Sequence, residues 1–270
     1  MPVRALVAAG ALFGIRENSM RVSLTRLLSA QVVVRDERGR YRLGERAEPV
    51  RGRVASWRRV NERIASWSGA WIALQRGAVA GSSAAVKRRA QQAHRFLGFR
   101  ELRPGLLLRP DNLVAGVSGV REQLFALGLE KTALVFGARD FDAQTDARAR
   151  TLWDEDSRSE QYAQASTALE RSRRRLPELS VAEAMVESFL VGGEALRLIA
   201  LDPLLPDAIA PSAPREALVE AMTTYDRQGR ISWSAFMADF GLPHLRAPLD
   251  LRLRPDTTPS ARGTGATRAA

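Results

Sequence analysis

Apolar positions recur along the chain with helical and strand periods, and those periods outline the architecture. Residues 3–13, rich in Ala, Leu and Val, read as a short helix ended by Gly14. In residues 17–29, Met20, Leu24, Leu27 and Leu28 fall at i, i+4, i+7 and i+8, the single apolar stripe of a second helix. Its opposite face carries Asn18, Ser19, Val22, Thr25 and Arg26, with Arg21 on the flank. Val32–Val34 and Tyr41–Leu43 are β-rich runs around the charged, glycine-containing segment 35–40, which predicts a hairpin. Helix, sharp turn, helix and hairpin is the tail of a winged helix.

Beyond a connector at 49–68 with a helical stretch near Ser56–Ser66, the rhythm changes. Ala70–Gln75, Arg100–Leu102, Leu106–Arg109 and Thr132–Phe136 read as strands, and 83–97 and 118–127 as helices. The order β-α-β-β-α-β predicts a ferredoxin-like unit. Trp57, Trp67 and Trp71 read as core packing. Residues 144–240 read as mostly helical. A long helix runs from Asp154 to Arg175, and a second starts behind a Ser180/Glu183 capping box and runs toward Ala200. Asp202-Pro203-Leu204-Leu205-Pro206 ends that helix, and shorter helices follow at 214–225 and 232–239. The fold class is therefore α+β. Its predicted divisions are a winged helix at 1–48, a linker at 49–68, a ferredoxin-like dimerisation unit at 69–142, a helical unit at 143–245 and a disordered tail at 246–270.

Charge sharpens this picture. The net charge is +11, and residues 1–53 alone contribute a net +6 through eleven arginines against five acids. Over half of the excess thus lies in the first fifth of the chain, where a module contacting DNA phosphates would place it. Only Lys87 and Lys131 are lysines, so composition by itself is a weak argument for nucleic acid. The helix face and the hairpin tip nominate Arg16, Asn18, Ser19, Arg21, Val22, Thr25, Arg26, Arg35, Arg38 and Arg40 as DNA contacts. The alternative reading is that these arginines solvate a surface helix and hairpin.

Other chemistries find little support. The chain has no cysteine, which removes disulfides and thiolate metal sites and fits a cytoplasmic protein. No apolar run approaches the roughly 18 residues of a membrane span, and the apolar start lacks a small-residue cleavage site. The histidines are His94 and His244, too far apart in sequence to suggest a triad or zinc centre. His94, alone on its helix, reads as structural rather than as an acid, base or ligand. Thr224–Ala235 is similar to a calcium loop but offers only Asp226 as carboxylate, with Ala235 where a bidentate Glu is needed. No catalytic residue, metal site or cofactor is nominated, and the expectation is a protein that is not an enzyme.

Taken together, several segments resemble PaaX-like repressors, regulators of phenylacetate-degradation operons. They are Leu12-Phe13-Gly14-Ile15, Arg21-Val22, Leu24, Arg26-Leu27 and Arg40-Tyr41-Arg42-Leu43. The resemblance continues through Trp71, Gly98-Phe99, Gly105–Leu113, Leu127-Gly128-Leu129 and Leu152-Trp153. Asp202–Pro206 and Tyr225-Asp226 to Trp233 complete it, in collinear order from about residue 5 to 240. It implies a homodimeric repressor with a winged helix, a ferredoxin-like domain similar to Cas2 and a helical C-terminal domain. It also implies release from a double-stranded DNA operator by an aryl-acyl-CoA such as phenylacetyl-CoA.

On this resemblance Leu24 and Leu27 face the core, while Arg109, Arg197 and Asp202 are candidate effector contacts. The competing structural reading has Arg197 pair with Asp202 across the turn. Two departures stand out. Met1 nearly abuts the first predicted helix, so the winged helix is read as lacking its first helix and the natural protein as longer. Arg16-Glu17 stands where a small polar N-cap is usual, leaving Asn18 to cap one turn later. The functional alternatives are a Cas2-like nuclease, an acyl-CoA enzyme and a non-DNA adaptor. The nuclease would want a carboxylate where the first strand ends in Leu74-Gln75-Arg76. The enzyme lacks a nucleophile–base set.

Overall fold

A computed structural model describes residues 1–77, 83–153 and 155–242. The predicted tail at 246–270, His244 and the helix start at Asp154 lie outside the described residues. The chain is α+β, with two small antiparallel sheets among many helices.

The N-terminal segment holds α1 (Val3–Leu12), α2 (Glu17–Ser29) and the hairpin β1 (Val33–Arg35)–β2 (Tyr41–Leu43). Helix α3 (Glu48–Ala55) and a 3-10 turn at Trp57–Arg63 lead into a four-stranded sheet. Its strands are β3 (Trp71–Gln75), β4 (Arg100–Arg103), β5 (Leu106–Pro110) and β6 (Leu134–Ala138), in the spatial order β4-β5-β3-β6. Every adjacent pair is antiparallel, with Ala73 opposite both Leu108 and Phe136. Helices α4 (Ala84–Phe96) and α5 (Gly116–Ala126) connect β3 to β4 and β5 to β6.

Strand alternation sends the sheet residues to two cores. Ile72, Leu74, Leu107 and Val135 meet Ala93 and Leu97 at α4 and Val120 and Leu124 of α5. That core runs on into α7 (Glu155–Arg175), α8 (Val181–Ala200) and α9 (Ala213–Asp239) through Leu169, Ile199, Leu218 and Tyr225. On the other face, Trp71, Ala73 and Leu108 pack with Trp153, Leu205 and Ala149 of α6 (Ala143–Arg150). Trp71 stacks on Trp153 at 6.1 Å and meets Trp67 edge-on at 5.2 Å. Trp57 is buried in the first core, so the three clustered tryptophans serve two different layers.

The capping box is present: Ser180 N donates to Glu183 Oε2 at 3.0 Å, and Glu183 N donates back to Ser180 Oγ. Residues 213–239 form one helix where two are expected. Within the polar stretch around Gly229, Asp226 and Arg230 pair across one turn at 2.6 Å. Gly229 itself lies against Ser188 of α8, whose Cβ is only 3.2 Å from where a side chain would start.

Candidate nucleic-acid interface

The N-terminal segment is assembled around very small residues. Gly14 takes a left-handed φ of +70°, which a residue with a Cβ resists, and turns the chain between α1 and α2. Gly10 lets the helices close: a Cβ there would sit 2.5 Å from Met20 Cε. Leu24 is the buried residue of α2, while Leu27 is 38 % exposed. The expectation that both leucines face the core therefore holds only for Leu24. The ten-residue α1 and a hairpin of two three-residue strands leave Leu27 without full cover. Helix α2 is also capped by Arg16, with no side-chain hydrogen bond, so Asn18 lies inside the first turn and does not cap it.

The hairpin tip is held by Asp36, whose Oδ1 accepts from Arg40 N at 2.7 Å and whose N donates to Arg40 O at 2.9 Å. Gly39 closes the turn at φ +73°, with the Arg35 guanidinium folded against it. Pro2 forms an isolated antiparallel bridge with Arg40, and Tyr41 N donates to Met1 O at 2.7 Å, which ties the chain start to the hairpin.

All ten nominated contacts are exposed. Arg16, Asn18, Ser19, Arg21, Val22, Thr25 and Arg26 lie on or beside α2, and Arg35, Arg38 and Arg40 at the hairpin. Two are occupied locally. Arg21 pairs with Glu17 at 2.6 Å, an exposed i,i+4 pair worth about 0.3–0.5 kcal/mol and easily exchanged for a phosphate. Thr25 Oγ1 donates to Arg21 O at 3.1 Å. Phe13, at the end of α1, meets Phe189 of α8 edge-on at 5.0 Å, and Arg4 lies over the Phe240 ring, joining the N-terminal segment to the C-terminal helices.

The effector candidates do not converge on one site. Arg197 is exposed and pairs with Glu194 at 2.6 Å, not with Asp202. Arg109 is fully buried and donates to the carbonyls of Leu97, Pro110 and Pro203 and to Asn112 Oδ1. Burial, reinforced by the neighbouring charge of Arg63, lowers its guanidinium to about 9. With these donors committed to protein acceptors, Arg109 latches the sheet to the Pro203 turn. Asp202, also buried, accepts from Tyr162 Oη and Leu204 N and lies 3.8 Å from Arg215. Burial, then the Asp202 charge, pushes the Tyr162 hydroxyl well above its usual range, so it serves as a permanent donor.

Sequence reading missed Tyr162, Asn112, Arg215 and Arg53. Arg53 is buried against Phe96, donates to its carbonyl and is drawn down to about 9 by burial and by the charges of Arg63 and Arg109. Only Asn112 carried a signal, its place in Arg-Pro-Asp-Asn-Leu. No group of three or more His, Cys, Asp or Glu side chains with metal-binding placement occurs among the described residues. Nor is any helix among them long and apolar enough to cross a membrane.

No protein-family model and no curated protein matches the chain. Among solved structures it is similar to an uncharacterized protein, Rv0674 from Mycobacterium tuberculosis. The identity is 25%, the match covers 86% of this chain and 91% of that one, and the TM-score is 0.50.

Proposed function

We propose that this chain is a sequence-specific DNA-binding transcriptional regulator of the PaaX-like kind, acting in the cytoplasm as a homodimeric repressor. The observation that carries the reading is the exposure of all ten nominated contacts on or beside α2 and the hairpin. A helix that buries one residue and presents Asn18, Ser19, Val22, Thr25 and Arg26 suits the major groove, which is wide enough to admit it. Arg35, Arg38 and Arg40 at the hairpin suit the adjoining backbone as a wing. The Pro2–Arg40 bridge supports the winged-helix reading, because such a wing is normally backed by a short strand preceding the helix pair.

In this reading, the four-stranded sheet with its two crossing helices is a ferredoxin-like, Cas2-like dimerisation domain, and α7–α9 form the helical C-terminal domain. Two readers on a two-fold axis would address a palindromic operator. The effector, an aryl-acyl-CoA such as phenylacetyl-CoA, would favour a dimer whose readers no longer match the half-site spacing. Linkage then requires DNA to weaken effector binding by the same factor. The Phe13–Phe189 and Arg4–Phe240 contacts offer a route by which the C-terminal helices could move the reader.

The test is a gel shift with DNA flanking the protein's own gene, titrating phenylacetyl-CoA. A sequence-specific shift released by the thioester supports the whole reading. A specific shift that the thioester leaves intact retains the regulator and removes that effector. Absence of any shift removes the regulator.

A further inference from the structure

His94 lies on α4 with 7% of its surface exposed, and its Nδ1 has no hydrogen-bond partner. Leaving such a nitrogen unpaired in the interior costs about 1–3 kcal/mol. The ring borders two adjoining cavities that also share Arg76 and Gln91. The larger, about 800 Å³, lies between the end of α4 and the edge strand β4. Its floor is apolar, with Phe96, Phe99, Leu107, Leu127 and Leu201, and its rim carries Arg76, Arg95 and Arg100. The smaller, about 550 Å³, is polar and holds Lys87 and Glu130.

Charge divides the two cavities. Arg76 pairs with Glu101 at 3.2 Å, a contact half open to solvent, whereas Arg95 has no ion pair among the described residues. Both carboxylate oxygens of Glu130 are buried without a hydrogen-bond partner in the smaller cavity, and they would repel an anion there. The larger cavity has three arginines against Glu101. Its volume lies within the usual range for small-molecule sites, about 300–1,000 Å³, and it combines an apolar floor with a few converging polar groups.

We propose that this larger cavity binds a small organic anion, a carboxylate or phosphate carried on an alkyl or aryl body. The body lies on Phe96, Phe99 and Leu107, and the head group meets Arg95 and Arg76 beside the His94 ring. The imidazole is neutral at physiological pH, because burial and the charges of Arg76 and Arg95 lower its pKa to about 4. It therefore adds no charge to the site. This inference does not rest on the DNA reading, and its test contains no DNA.

The test uses the full chain carrying His244→Gln, which leaves His94 as its one imidazole. Its proton–carbon signal is followed by NMR while hexyl phosphate, hexanoate, inorganic phosphate or 1-hexanol is added, with affinities from calorimetry. Hexyl phosphate or hexanoate should shift the His94 signal and bind at least about tenfold more tightly than inorganic phosphate and hexanol. The tighter of the two identifies the head group. Arg95→Gln and Arg76→Gln, both at exposed positions, should each weaken that binding by about tenfold with melting temperature unchanged. An unmoved His94 signal, or affinity unchanged in both arginine variants, overturns the proposal.

Discussion

Asn112 Nδ2 donates to the backbone carbonyl of Leu204 at 2.7 Å, and this bond joins two motifs that lie far apart in the sequence. Arg-Pro-Asp-Asn-Leu begins in the last two residues of strand β5 and runs past its end, and Asp-Pro-Leu-Leu-Pro follows helix α8. Arg109 makes the second connection, to Pro203 O at 3.3 Å. Between them sits Leu204, held at a φ of +56° that costs a side-chain-bearing residue about 1 kcal/mol or more. The Asp202 carboxylate secures that conformation by accepting from Leu204 N. The two segments are halves of one buried latch between the sheet and the C-terminal helices.

Asn112→Ala should lower the free energy of unfolding by about 1–3 kcal/mol, because it leaves Leu204 O and one Arg109 donor without partners. Urea denaturation measures this. A loss below about 0.5 kcal/mol, the level of an ordinary surface substitution, would show that the latch is not holding the fold.

Gly98→Ala should be at least as damaging. Gly98 has φ +80°, and a Cβ there would lie 2.7 Å from Pro203 Cβ, so strain and overlap add. The expected loss is about 2–4 kcal/mol, read by the same denaturation. A neutral outcome would mean that the Pro203 turn can draw back from the sheet.

Ser180→Ala removes the acceptor at the start of α8 and should cost about 1 kcal/mol, measured as a lowered melting temperature. Ser180→Gly should cost only a few tenths of that scale, since glycine leaves the N-terminus open to water.

His94 makes stability depend on pH. Its folded-state pKa, about 4, lies below its ordinary 6.5, so between these values the unfolded chain binds more protons. Stability therefore rises with pH through this window, by at most about 1.4 kcal/mol per unit from this group. The full contribution is present above pH 6.5 and is lost as pH falls toward 4. His94→Gln should flatten the dependence. Parallel pH profiles for the two proteins would exclude the assignment.

Much of the fold is legible in the sequence, because period and punctuation agree. Helix α2 occupies residues 17–29 as its stripe predicts, and the Ser180/Glu183 box marks the start of α8. The failures come from tertiary contact. Helix α9 runs unbroken past Gly229 because α8 packs against it, a fact no local window contains. Arg109 looks like a surface anion contact within a basic chain. It is buried because carbonyls from residues as distant as Pro203 converge on it. Leu27 matches the apolar stripe of α2 and is nevertheless exposed, because periodicity gives a direction but not a covering partner. The exposed polar face of α2 is legible because exposure on an amphipathic helix follows from the same period as burial.

The central claim, that α2 and the hairpin read DNA, is tested most directly by fluorescence anisotropy. The full chain is titrated with labelled DNA flanking its own gene, over a range of salt, beside Arg38→Ala and Arg26→Ala. The account predicts specific binding whose logarithm falls linearly with that of salt. Arg38→Ala should weaken binding to all sequences and reduce the slope by about 1, as loss of one phosphate contact does. Arg26→Ala should reduce the preference for the specific site if it meets a base, by about 1–3 kcal/mol. Binding that is absent, or insensitive to salt and to both substitutions, would contradict the account.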